Sequence, residues 1–119
     1  SAGGTPVLIL CDADRNTMYE NGRRPDDLPE SRLLSAACER AGVPFLDLTD
    51  AFWDEYDRRG RRFDFADNYH WTTYGVGVVA AATWRELARR KRLLTLPHIN
   101  DIEALMHVAR VKDTEALPL

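Results

Sequence analysis

A carboxylate and an imidazole stand three residues apart in Asp67-Asn68-Tyr69-His70-Trp71-Thr72-Thr73-Tyr74-Gly75, directly ahead of an apolar helical run. Histidine is the usual general base near neutral pH. It needs a partner that fixes its tautomer and stabilises the imidazolium. A carboxylate on Nδ1 does both and leaves Nε2 to face a hydroxyl nucleophile. In a tight loop this separation can bring the Asp67 side chain back under the His70 ring, where Tyr69 and Trp71 can shield the pair from water and strengthen its electrostatics. The same spacing also arises without catalysis. Asp67 can cap a turn and His70 can pack on Trp71, and matches this short occur often by chance. The pair is the acid–base half of a Ser-His-Asp hydrolase. The nucleophilic half is not evident, because the serines are Ser1, Ser31 and Ser35. Ser31 and Ser35 fall within a predicted helix, on its surface or margin.

Other chemistry-bearing residues form weaker patterns. Asp64, Asp67, His70, His98 and His107 are potential metal ligands, but they lack the paired spacing of a zinc motif. Asp12 and Asp14 follow a predicted strand, at the edge where α/β sheets place ligands, although acids in such loops commonly cap turns. A phosphoryl-transfer role for them needs a phosphate-binding lysine, and the lysines are Lys91 and Lys112, far along the chain. Ser1 as an N-terminal nucleophile fits neither the α/β pattern nor a terminus opening Ser1-Ala2-Gly3-Gly4.

The elements that must position these residues follow from hydrophobic pattern and turn chemistry. Pro6–Cys11 and Val43–Leu48 are short apolar runs that read as strands buried on both faces. Residues 15–29 carry Asn, Gly, Pro and Asp clusters and read as a long loop. The spacing of Leu33, Leu34, Ala37, Cys38 and Ala41 predicts a helix over 30–41, stopped by Gly42. Thr49 or Asp50 can cap a short helix through Tyr56, and Asp57–Arg62 reads as a solvated turn. Thr72 or Thr73 can cap a helix running to about Arg92, with Val76, Val79, Ala80 and Leu87 as its buried stripe. Thr83 on that stripe can bond back one turn, and Arg89–Arg92 favour the helix's negative end. Beyond Pro97, residues 99–112 read as an amphipathic helix with Ile102, Leu105, Met106 and Ala109 on one side.

This alternation predicts an α/β fold with a parallel sheet. Two strands with apolar faces do not make a stable sheet of this class. Further strands are therefore expected from another chain or segment, and the opening residues look like a cleavage product or fragment. With 119 residues, one domain is the upper bound. A net charge of −3 and a pI of about 5.6 give no case for nucleic acid as partner. No run reaches the roughly 18 apolar residues of a membrane span, and no signal peptide is visible. The 14 arginines against two lysines suggest codon bias. Cys11 and Cys38 read as free thiols, with a disulfide left open, and compartment stays undecided.

The strand ending Asp47-Leu48-Thr49, the short helix with Phe52, then Asp67-x-x-His70-Trp71-Thr72-x-x-Gly75 and an Ala/Val-rich helix resemble the C-terminal half of SGNH (GDSL-like) hydrolases and acyltransferases. The resemblance spans roughly residues 5–92 and is strongest over 67–83. It implies a flavodoxin-like three-layer α/β/α sandwich, represented by its C-terminal part over 1–92 with a helical extension over 93–119. It implies His70 as catalytic base and Asp67 as its orienting acid. The reaction would be transfer of a small acyl ester through a serine ester, to water or to a sugar hydroxyl, without cofactor or metal. The His-Trp-Thr wording also resembles polysaccharide O-acetyltransferases of this type. The family's Gly-Asp-Ser nucleophile and its oxyanion-hole Gly and Asn blocks have no counterpart here. The serine is then expected from a missing segment or partner chain, and the alternative is a non-catalytic SGNH-like fragment serving as a binding or scaffolding module.

Overall fold

The structure is a computed structural model, and it describes residues 7–66, 68–90, 103–104 and 106–111. The described chain is mixed α/β, mostly helical, with one small parallel sheet. It divides into two compact units, Ser1–Trp53 and Asp54–Leu119.

In the first unit, β1 (Ile9–Cys11) pairs in parallel with β2 (Phe45–Asp47), Ile9 opposite Phe45 and Cys11 opposite Asp47. Bonds from Ile9 N–H to the Pro44 carbonyl (3.0 Å) and from Leu48 N–H to the Cys11 carbonyl (2.9 Å) extend the ladder at both ends. Both strands are shorter than the apolar runs that announce them. Pro44 has no N–H to give and joins only through its carbonyl, while Pro6 lies outside the described residues.

The stretch expected to be a loop over 15–29 holds a helix, α1 (Arg15–Asn21). Asp14 caps it, taking bonds from Thr17 N–H (3.3 Å) and Thr17 Oγ1 (2.6 Å), and Gly22 closes it in the left-handed conformation. Asn16 and Asn21 lie within this helix and Gly22 closes it, while residues 22–28, with Asp26 and Asp27, remain the expected loop.

Helix α2 (Pro29–Ala41) starts one residue ahead of the expected 30–41, on Pro29, and stops at left-handed Gly42 as expected. Its packed side is not the leucine stripe, however. Leu33 is 72% exposed, Leu34, Ala37 and Ala41 are also exposed, and the buried residues are Ser31 and Cys38. The Ser31 hydroxyl donates to Asp47 Oδ2 (2.7 Å) and Val43 N–H donates to the Cys38 carbonyl (2.8 Å). These two bonds turn the Ser31–Cys38 side toward β2 and the leucines outward. Cys11 and Cys38 are both free.

Helix α3 (Thr49–Arg59) contains the division between the units. It runs past Tyr56, so Asp57–Arg59 are helical, and Gly60 at φ 63° ends it by donating to the Tyr56 carbonyl (2.7 Å).

Helix α4 (Thr73–Arg89) is capped by Thr72. Its buried side is Tyr74, Gly75, Gly77, Val78, Val79 and Ala81, while Val76 and Ala80 face out and Leu87 is half-buried. Val79 alone of the expected stripe is buried, and Thr83 does bond back to the Val79 carbonyl (2.8 Å). The face differs because two glycines admit close neighbours: a Cβ on Gly75 would lie 2.6 Å from the Phe63 carbonyl oxygen, and one on Gly77 would lie 2.6 Å from Ala109 Cβ. Residues 103–104 and 106–111 are helical, with Met106 and Ala109 buried. Ile102, Leu105, His98, Lys91 and Arg92 lie outside the described residues.

Candidate active site

The segment between α3 and α4 closes on itself. The Phe63 carbonyl accepts from Thr72 N–H (2.7 Å) and from Thr72 Oγ1 (3.0 Å), and Thr72 Oγ1 accepts from Gly75 N–H (3.2 Å) at the start of α4. One step further out, Asp64 and Trp71 form an antiparallel bridge, and Phe65 N–H donates to the His70 carbonyl (3.2 Å). A turn bond from Asn68 N–H to the Phe65 carbonyl (3.4 Å) shapes the tip. The result is a hairpin-like loop whose stem is the helix cap itself.

His70 sits on the returning limb and is exposed. Its main-chain N–H donates to Asn68 Oδ1 (2.8 Å), and its ring Nδ1 lies 3.2 Å from the same oxygen. Asp67, the expected orienting acid, lies outside the described residues. Of the aromatic neighbours, Tyr69 is 74% exposed and Trp71 is half-buried. Asn68 has no role in the reading by motif. The available signal was an Asn two positions before the histidine, a spacing at which an Asx side chain accepts a backbone N–H.

Beneath the stem lies a buried ionic network. The Phe63 and Tyr74 rings stack with centroids 5.0 Å apart. Tyr74 OH donates to Glu55 Oε2 (2.7 Å), and Arg110 donates to Glu55 Oε2 through Nε (2.8 Å) and to Oε1 through Nη2 (3.0 Å). The Arg61 guanidinium lies 4.5 Å from the Tyr74 ring centroid, a cation–π contact. Burial alone would raise the Glu55 carboxyl, but the bonds from Arg110 and Tyr74 outweigh it and hold the group below its ordinary value. The Tyr74 phenol is pushed the other way, upward, by burial and by its bond to ionised Glu55. No hydrophobic pattern announces this network, since Glu55 sits on a strongly charged segment.

The remaining candidates have local partners. Ser31, expected at a helix surface, is buried and its hydroxyl is committed to Asp47. Asp47 Oδ1 also accepts Thr49 N–H (2.8 Å). Burial favours a raised Asp47 carboxyl, yet these hydrogen bonds from Thr49 and Ser31 leave it lowered. Asp12 accepts Arg15 Nη1 on both oxygens (2.8 and 2.7 Å), and Asp14 is the α1 cap. His107 is an exposed helical residue. Among the described residues no three His, Cys, Asp or Glu side chains come together as a metal site, and no helix is long and apolar enough to cross a membrane. Comparisons with protein-family models, with curated proteins and with solved structures found no match, so a functional reading of this chain stands on the His70 loop and its supports.

Proposed function

We propose that this chain is the C-terminal part of an SGNH-type α/β/α sandwich and supplies the acid–base histidine of an ester hydrolase or O-acyltransferase. The observation that carries the reading is the His70 loop: an exposed imidazole on a short closed loop, clamped at its stem to the cap of α4. A base presented this way is held in place yet open to a substrate. His70 Nε2 takes the proton from a serine hydroxyl as its oxygen attacks the acyl carbonyl, then returns a proton to the leaving alkoxide. Water or a sugar hydroxyl, activated by the same nitrogen, resolves the serine ester. Asp67 compensates the imidazolium charge, and backbone N–H groups outside this chain hold the oxyanion. No cofactor is required.

The serine comes from a partner polypeptide or a further segment, which also completes the sheet. Both strands are short and half-buried, and Val7, Leu10, Leu28, Leu33 and Leu34 are exposed in the first unit. Additional strands and their helices would cover such a surface. A second reading, a non-catalytic SGNH-like binding or scaffolding module, is favoured by one observation. The Ser31 hydroxyl is occupied by Asp47, and neither Ser31 nor Ser35 has a Gly-Asp setting.

The two readings part in one experiment. The protein is purified natively with whatever accompanies it, treated with a fluorophosphonate serine probe, and every chain is weighed intact. An adduct on a companion polypeptide, lost when His70 is replaced, supports the split esterase. An adduct on the 13.5 kDa chain itself overturns the assignment of the serine to another segment. Labelling of nothing favours the scaffolding module.

A further inference from the structure

We propose that Asn68 is the positioning residue that fixes the tautomer and orientation of the His70 ring. The proposal rests on the reading of His70 as a general base, and it follows from two contacts to one atom. The His70 main-chain N–H, an obligate donor, points at the Asn68 side-chain amide at 2.8 Å. The receiving atom is therefore the amide oxygen, because an NH2 group there would set hydrogens against a hydrogen. That settles which way the amide faces without reference to the ring. The His70 Nδ1 lies 3.2 Å from this same oxygen. An amide oxygen can only accept, so an unprotonated Nδ1 would place one lone pair against another. In the neutral ring the proton therefore belongs on Nδ1, and the lone pair falls on Nε2. That is the form a base must have to take a proton from a hydroxyl in front of it.

The loop holds this arrangement from both sides. Phe65 N–H grips the His70 carbonyl while Asn68 N–H bonds the Phe65 carbonyl, so donor and acceptor are carried by one closed turn. A neutral amide supplies direction but no charge. In a Ser-His-Asp triad one carboxylate both orients the ring and balances its charge; here Asn68 takes the orienting part.

The ring's tautomer is readable without substrate or partner. In the full ¹⁵N-labelled chain, long-range ¹H–¹⁵N correlation is recorded at alkaline pH, where the imidazole is neutral. The three histidines are assigned by replacing each in turn with Gln. The wild-type His70 should show a pyrrole-like Nδ1 and a pyridine-like Nε2. Asn68→Ala should move the two ¹⁵N shifts toward each other or exchange them. Asn68→Asp, which accepts the same two bonds, should restore the wild-type pattern, and Asp67→Asn should leave it untouched. An Nδ1–H signature that survives Asn68→Ala, or one that is lost in Asp67→Asn, overturns the proposal. The functional reading fails separately. If the signature behaves as expected and serine-probe labelling appears on no chain, Asn68 still orients His70 but the ring is not a hydrolase base.

Discussion

At the scale of single residues, His70 and Glu55 represent opposite kinds of importance. His70 is exposed, and its described hydrogen bonds run to Asn68 and Phe65 on its own loop, so little of the fold depends on its side chain. His70→Ala should therefore leave stability within about 0.5 kcal/mol while lowering serine-probe labelling of the proposed split hydrolase by about 10²- to 10⁴-fold. Thermal unfolding and labelling rate check the two halves. Glu55 is nearly buried, and its carboxylate is satisfied by Tyr74 and Arg110. Removing one donor differs sharply from removing the counter-charge. Tyr74→Phe keeps the ring stack and leaves Arg110 on the same carboxylate oxygen, at a cost of about 1 kcal/mol. Arg110→Met leaves the carboxylate with Arg58 and Arg59 at 3.6 and 3.8 Å, at a cost of about 3 kcal/mol. Urea unfolding of both variants should give that order, and the reverse order would show that the phenol, not the guanidinium, holds the network.

At the scale of elements, two helical glycines in α4 decide which face is inside. Helix propensity says that Gly→Ala stabilises by about 1 kcal/mol. At Gly75 the added methyl would meet the Phe63 carbonyl at 2.6 Å, the same oxygen that binds Thr72 twice. Backbone has no rotamer to escape through, so overpacking costing roughly 1–3 kcal/mol should win, and Gly75→Ala should lower the melting temperature. Gly77→Ala would press on Ala109 Cβ at 2.6 Å and should loosen residues 106–111 first, seen as faster amide exchange there than at the Thr72 cap. The same two positions explain what the sequence could and could not tell. The stop of α2 and the start of α4 were legible because Gly42 and Thr72 have conformational meanings of their own. The face of α4 was not, since periodicity ranks aliphatic side chains and does not show which segments will press on Gly75 and Gly77. Helix α1 was hidden for a related reason: Asp and Asn are both loop formers and caps, and only the Asp14–Thr17 spacing separates the two. In the candidate site, the histidine and its loop were legible from type and spacing. The bond from Asn68 and the Glu55 support were not, because each depends on how the chain turns back on itself.

At the scale of the whole molecule, Arg89 and Arg90 hold the Glu86 carboxyl low, and each unit also carries a hydrogen-bonded carboxylate that is held ionised, Asp47 in the first and Glu55 in the second. Both have folded-state values below their unfolded ones. Their contribution is therefore complete above the unfolded carboxylate range and is lost as pH falls from about 4 downward. Tyr74 is raised, so its contribution is complete below the unfolded phenol value and declines as pH climbs above about 10. Melting temperature against pH should thus show a plateau with an acid and an alkaline limb. Asp47→Asn and Glu55→Gln should each flatten the acid limb, and Tyr74→Phe the alkaline one. An acid limb unchanged in both carboxylate variants would mean that other groups govern acid unfolding.

The stem of the His70 loop has a consequence for how this region could diversify. Because the Phe63 carbonyl joins Thr72 at the base, and the Phe63 ring lies on Tyr74, both ends of the loop are anchored to the same spot. Everything between Asp64 and Trp71 behaves as a cassette. Apart from Asn68 and His70, its residues can be exchanged in the laboratory without shifting the register of the helix that follows. A protease nick at exposed Tyr69 would leave two ends that remain stapled at the base. The chain thus separates the part that sets the register of α4 from the part that carries the loop tip, and the border between them is a single carbonyl oxygen.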